Sequence, residues 1–246
     1  MKTIGLIGGM SWESSAVYYN LINRKVREEL GGFHSCKSIL LTVDFAEIQR
    51  LQHIEDWNSL NEIMVKSAKQ LEAAGADIVV LCTNTMHLCS PAIIQNISIP
   101  FLHIAEATGS KIAEAGLKKV ALLGTKFTME KDFYKTYIFE NFGIEVIIPT
   151  ATERDYIHQV IYDELVQGEI KDVSRKGFQQ IIKNLEILGA EGVILGCTEI
   201  PLLISSTDVN IPVFDTTAIH AEKAVEWAIT NRKTTRHKEL MLFLNP

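Results

Sequence analysis

Short, nearly uninterrupted apolar runs recur along the chain, separated by longer stretches with helical spacing. Ile4–Ile7, Ser38–Val43, Ile78–Cys82, Val120–Leu123, Val146–Ile148, Val193–Gly196 and Val213–Phe214 read as strands. Strands this apolar suit a parallel sheet covered on both faces. Helices are predicted over Ser14–Leu30, Trp57–Ala74, Ile104–Ala115, Glu130–Phe142, Glu153–Gln167, Lys171–Leu188 and Ala218–Thr230. Gly75 and Gly189 fall just beyond two of them, where a left-handed residue closes a helix. The alternation predicts an α/β fold of doubly wound parallel sheets.

The pattern occurs twice. Lys2–Gly9 matches Lys118–Thr125 at an offset of 116 residues, Val79–Thr85 matches Val193–Glu199 at 114, and Ile99–His103 matches Ile211–Asp215 at 112. Three matches in one order, with a small steady drift, imply two pseudo-symmetric domains with a cleft between them. The expected division is residues 1–101 plus 213–230 for the first domain and 102–212 for the second. A tail follows at 231–246, basic at Arg232, Lys233, Arg236 and Lys238 and then apolar. Ligands of such sheets bind beyond the carboxyl ends of the strands. The turns Gly8–Ser11, Thr83–His87, Gly124–Thr128 and Cys197–Pro201 therefore line the expected site, two from each half.

Composition adds exclusions. The 246 residues are 47% hydrophobic and 22% charged, ordinary for a globular protein, and the net charge of -6 gives no general attraction for nucleic acid. No run reaches membrane-spanning length. The N-terminal segment reads as a strand and glycine turn rather than a signal peptide. Cys36, Cys82, Cys89 and Cys197 lack the spacing of a zinc site or a disulfide framework, and the seven histidines show no metal pattern. A cytoplasmic protein with reduced thiols is expected.

Gly5–Ser11 lacks the spacing of a dinucleotide loop and reads as a tight strand-to-helix turn, with Met10 and Ser11 facing the cleft. Thr83-Asn84-Thr85 and Thr198-Glu199 each follow a strand. There they either cap a helix or offer an anion site, since both use the exposed N–H groups of a helix start. Cys197 lies at a strand end and at an expected helix N-terminus, a setting that lowers a thiol pKa from about 8.5 and makes the thiol reactive. Cys82 is one residue out of register with Cys197, so it should face the other way into the core, with Cys36 and Cys89 also structural. His87 reads as a buried, hydrogen-bonded residue.

At Thr83-Asn84-Thr85-Met86-His87, Gly196-Cys197-Thr198-Glu199 and Gly8–Ser14, the chain resembles the aspartate/glutamate racemase family, above all its L-aspartate/glutamate-specific members. The resemblance runs from Met1 to about Ile229. It implies a cofactor-independent enzyme, with a homodimer as the expected assembly and one base from each half on opposite faces of the substrate α-carbon. It implies that Cys197 is the base for the L face. The family's usual pattern has Cys where this chain has Thr83, so Thr83 is carried over as the opposite-face proton donor. Activity from L to D, poor in reverse, follows. Met10, Ser11, Gln52, Asn84, Thr85, Thr198 and Glu199 are carried over as substrate contacts, Thr125 and Thr128 as further hydroxyls, and Arg50 or Lys171 as partners for a side-chain carboxylate. The same superfamily contains hydantoin racemases, maleate isomerases and arylmalonate decarboxylases. A non-catalytic amino-acid-binding protein is the alternative of another class.

Overall fold

The computed structural model describes residues 1–230. The tail predicted at 231–246 lies outside the described residues. The first sheet holds β1 (Ile4–Gly8), β2 (Ser38–Thr42), β3 (Ile78–Leu81) and β4 (Phe101–Leu102), in the order β2-β1-β3-β4. The second holds β5 (Lys119–Gly124), β6 (Glu145–Ile147), β7 (Val193–Gly196) and β8 (Val213–Asp215), in the order β6-β5-β7-β8. Every pairing is parallel. The central strands β1, β3, β5 and β7 are almost wholly buried, which is why they read as continuous apolar runs.

The sequence repeat is also a repeat of pairing register. Ile7 sits opposite Leu81 in the first sheet, and Leu123 opposite Leu195 in the second. Val79 sits opposite Phe101, and Val193 opposite Val213. These are the partners that the offsets of 116, 114 and 112 residues put in correspondence.

The helices are α1 (Trp12–Leu30), α2 (Phe45–His53), α3 (Trp57–Ala73), α4 (Ser90–Asn96), α5 (Ile104–Glu114), α6 (Lys126–Glu130), α7 (Asp132–Phe142), α8 (Ala151–Asp163), α9 (Asp172–Ile187), α10 (Ile200–Leu203) and α11 (Thr216–Thr230). Alternate residues of β3 face opposite layers. Val79 and Leu81 pack in a core with Met64 and Ala68 of α3, whereas Ile78, Val80 and Cys82 join Tyr18 of α1 and Ala224 of α11. Cys82 is fully buried there, as its register requires.

The domain division differs from the expected one by a few residues. Leu102 still pairs in the first sheet, and Val213–Asp215 is the edge strand of the second. The Pro100 and Pro212 carbonyls accept from Val79 and Val193 at 2.9 and 2.8 Å and so begin the edge pairing. The chain crosses over at His103 and again at Asp215–Thr216. After the second crossover, α11 returns to cover the first sheet beside α1.

The helix predicted from Glu130 starts two residues later, as α7, because Lys131 is extended (φ -73°, ψ 146°) and separates it from α6. The helix predicted over Glu153–Gln167 is broken. Glu164 leaves the helical region after α8, and a single 3-10 turn follows at Leu165–Gln167. The short helices α2 and α4 go unread in the sequence, because so few residues carry little periodicity. At the β1–α1 turn Gly9 has φ +89°, and a Cβ there would lie 2.2 Å from the Val43 carbonyl oxygen, so only glycine fits.

Candidate active site

The carboxyl ends of β1, β3, β5 and β7 converge on one cleft. From the β1 turn come Met10 and Ser11, and from the β3 turn Thr83, Asn84 and Thr85. The second domain supplies Thr125 after β5 and Gly196, Cys197, Thr198 and Glu199 after β7. Gln52 of α2 completes the polar wall. Thr83 and Cys197 thus line one cavity from equivalent positions of the two halves.

Thr128 is fully buried behind this wall, where its hydroxyl lies 3.2 Å from that of Thr125 and 3.4 Å from that of Thr85. Thr85 and Thr125, from different domains, are 3.1 Å apart. The Asn84 amide donates to Thr216 at 3.0 Å, and Thr216 donates to the Leu195 carbonyl at 2.9 Å, so a second bridge joins the halves. Among the described residues, the buried Asn84 Oδ1 has no hydrogen-bond partner. Gln52 donates to the Met86 sulfur at 3.0 Å.

Around Cys197 the structure corrects one expectation. No helix begins at the thiol, since α10 starts at Ile200 and spans four residues. Nor does Asn84 cap the 3-10 turn Thr85–Cys89 through its side chain. Instead, the Cys197 thiol donates to Glu199 Oε2 at 2.9 Å, and Thr198 donates to the same oxygen at 2.7 Å. Glu199 Oε1 accepts from Ser14 at 3.0 Å and from Ser11, the N-cap of α1, at 3.5 Å. Burial first, and then the Glu199 charge, hold the thiol well above the ordinary thiol range. The resting group is a protonated thiol aimed at a carboxylate rather than a standing thiolate. Such a pair can pass the thiol proton to the carboxylate when a thiolate is needed.

The remaining wall is apolar and escaped the sequence reading. Phe45 of α2, Ile161 and Tyr162 of α8, and Val166 of the 3-10 turn line it. Burial, then the charges at Cys197 and Glu199, push the Tyr162 phenol up to about 12. Neither Arg50 nor Lys171 lines the cavity. Lys171 pairs with Glu169 at 2.9 Å and Glu164 at 3.5 Å. Among the described residues, the lining includes no lysine or arginine.

His87 is completely buried beneath the Thr83 turn, with both ring nitrogens hydrogen-bonded. Cys89 is buried and its thiol is pushed up to about 12 by desolvation, while Cys36 is half-buried and raised to about 11. No helix among the described residues is long and apolar enough to cross a membrane.

Residues 7–224 match the model of the Asp/Glu/hydantoin racemase family. A Yersinia pestis protein provisionally named as an Asp/Glu racemase is 48% identical, with a TM-score of 0.89 over 93% of this chain and 100% of the other. An aspartate racemase homologue from Pyrococcus horikoshii is 37% identical, with a TM-score of 0.83 over 93% and 100% of the two chains. The broad specificity amino-acid racemase RacX of Bacillus subtilis is 28% identical over 69% of this chain and 73% of its own.

Proposed function

Since the chain belongs to the Asp/Glu/hydantoin racemase family and is an amino-acid racemase, we propose that it works without a cofactor, by two-base transfer of the substrate α-proton, from L to D. The reading rests on one observation. Thr83 and Cys197 line a single cavity from equivalent loops, and the Cys197 thiol already points its proton at the buried Glu199 carboxylate.

In the proposed step, the thiol proton moves to Glu199 and the Cys197 thiolate takes the α-proton from the L face. The α-carbanion then takes a proton from the Thr83 hydroxyl on the opposite face and becomes the D enantiomer. The thiol–carboxylate pair ends with one extra proton and Thr83 lacks one, and exchange with water restores both. Asn84, Thr85, Thr125 and Thr198 offer the polar groups for the α-carboxylate and α-ammonium.

L-aspartate and L-glutamate are the proposed substrates, from the family likeness. A second reading has a specific basis. The apolar wall of Phe45, Ile161, Tyr162 and Val166, with no lysine or arginine in the described lining, favours an uncharged side chain. Initial rates with L-aspartate, L-glutamate and L-methionine, followed by chiral chromatography, separate the two. Formation of D-aspartate or D-glutamate as the fastest reaction supports the acidic substrates, and D-methionine as the fastest product supports the second reading. Absence of any D product from all three overturns the mechanism.

A further inference from the structure

The buried histidine under the Thr83 turn has a more definite arrangement than core packing requires. The Ile104 N–H can only donate, so His87 Nε2 accepts from it at 3.1 Å. The proton must then sit on Nδ1, which donates to the Thr83 carbonyl at 2.7 Å. One ring in one tautomer therefore spans the Thr83 main chain and the first residue of α5. The Thr83 N–H is anchored as well, to the Leu81 carbonyl at 2.9 Å.

Both interdomain crossovers meet at this ring. At the first, His103 packs edge-on against His87 with ring centres 4.8 Å apart, and stacks on Tyr137 of α7 in the second domain at 4.5 Å and 4°. At the second, His220 of α11 lies 5.6 Å from His87 and donates through Nε2 to the Leu102 carbonyl at 3.0 Å. Its Nδ1 accepts from Tyr18 at 2.9 Å. Burial and the neighbouring imidazoles keep the His87 ring uncharged, which preserves the donor and acceptor assignment.

We infer that His87 is a positioning residue for Thr83. It ties the Thr83 main chain to the crossover and so sets where the Thr83 hydroxyl meets the substrate carbon. This rests on the reading of Thr83 as the proton donor. The reasoning is geometric: Cys197 can remove the α-proton without His87, but inversion needs a donor held on the other face. A donor displaced by about 1 Å can lose on the order of 100-fold in rate. The carbanion then returns to the Cys197 face more often than it inverts.

The test runs each L-amino acid, aspartate, glutamate and methionine, in D₂O. It measures deuterium in the recovered L enantiomer against D product formed at early times. In the folded His87→Gln variant, whose amide reaches the Nε2 position but leaves the Thr83 carbonyl unpaired, the ratio of exchange to inversion should rise about 10-fold or more over wild type. His87→Asn, whose amide can take the Nδ1 place, should bring the ratio back towards wild type. Circular dichroism melts establish that both variants fold. A wild-type ratio in folded His87→Gln overturns the positioning role, even if overall turnover falls. An equal rise in both variants overturns it too, because the Thr83 link is then not the cause. If wild-type protein neither exchanges nor inverts any of the three, the racemase mechanism fails first and this inference with it.

Discussion

The thiol of Cys197 lies 2.9 Å from the buried carboxylate of Glu199, with its proton directed at that oxygen. The same carboxylate gathers hydroxyls from both domains, Ser14 from the first and Thr198 from the second. Its charge opposes ionisation of the thiol while offering the only neighbouring acceptor that the described contacts give that proton.

Glu199→Gln should therefore separate acidity from activity. Removal of the charge lets the thiol ionise at lower pH than in wild type. Loss of the acceptor should nevertheless cut racemisation by about 10²–10⁴-fold. The pH profile of iodoacetamide labelling at Cys197, set beside the racemisation rate, checks both halves. A variant that is both more acidic and fully active would remove Glu199 from the mechanism.

Cys197→Ala and Cys197→Ser should abolish exchange of the L-substrate α-proton with D₂O, by about 10²–10⁴-fold, without loss of the fold. Proton NMR of the substrate follows the exchange. Near-normal exchange by a folded variant would assign the base elsewhere.

A hydroxyl releases a proton more readily to a carbanion than it extracts one from carbon, so Thr83 should make the two directions unequal. The enantiomers have equal free energy in water, so kcat/KM must be the same from either end. The inequality must then appear in kcat and KM separately at saturation, with the D enantiomer slower. Thr83→Cys should raise kcat from the D side, and Thr83→Ala should suppress D product. Equal kcat from both enantiomers in wild type, or no gain in folded Thr83→Cys, would count against the assignment.

Cys82 is one residue from Thr83 and fully buried among Ile78, Val80 and Tyr18. Cys82→Ala should lower stability by about 1–2 kcal/mol and leave turnover nearly intact. For a chain of this size that is a fall of roughly 2–8 °C in Tm. Lost activity at unchanged Tm would identify Cys82 as the first-half catalytic group.

Acid should loosen the crossover region. Burial lowers His103 to about 3 and His220 to about 4, and lowers His87 also. Below the unfolded-state value near 6.5, the unfolded chain takes up protons that the folded chain refuses. The stability conferred by neutral rings is thus complete above about pH 6.5 and lost as pH falls towards 3–4, at a slope of about 1.4 kcal/mol per pH unit for each such ring. Urea unfolding at pH 7 and pH 5 measures it. His220→Gln should flatten the slope, and an unchanged slope would dissociate His220 from the effect.

The strands other than β4, and the repeat, were legible because buried parallel strands leave continuous apolar runs, and two copies of one pattern reinforce each other; β4, two half-buried residues, leaves no such run. Ser11, Thr83, Asn84 and Cys197 were legible for the same reason, since strand ends locate the cleft. Phe45, Ile161, Tyr162 and Val166 were not. They sit on or just beyond helices, where apolar periodicity looks the same whether a side chain meets core or cavity. The thiol environment was misread because a helix start was inferred from a strand end. The turn Cys197–Glu199 folds the carboxylate back on the thiol instead, which depends on backbone geometry that propensity does not specify. Thr128 was assigned to the wall from its loop, yet one helical turn carries it behind Thr125.

The return of α11 to the first sheet has a bearing on how the chain is made. Ala221, Ala224, Val225 and Ala228 cover the face formed by Ile4, Leu6, Ile78 and Val80, yet they are translated after the whole second domain. The half that leaves the ribosome first is therefore the last to be sealed. Its sheet must wait, with one apolar face uncovered by its final helix, while the other half can already close around its own core.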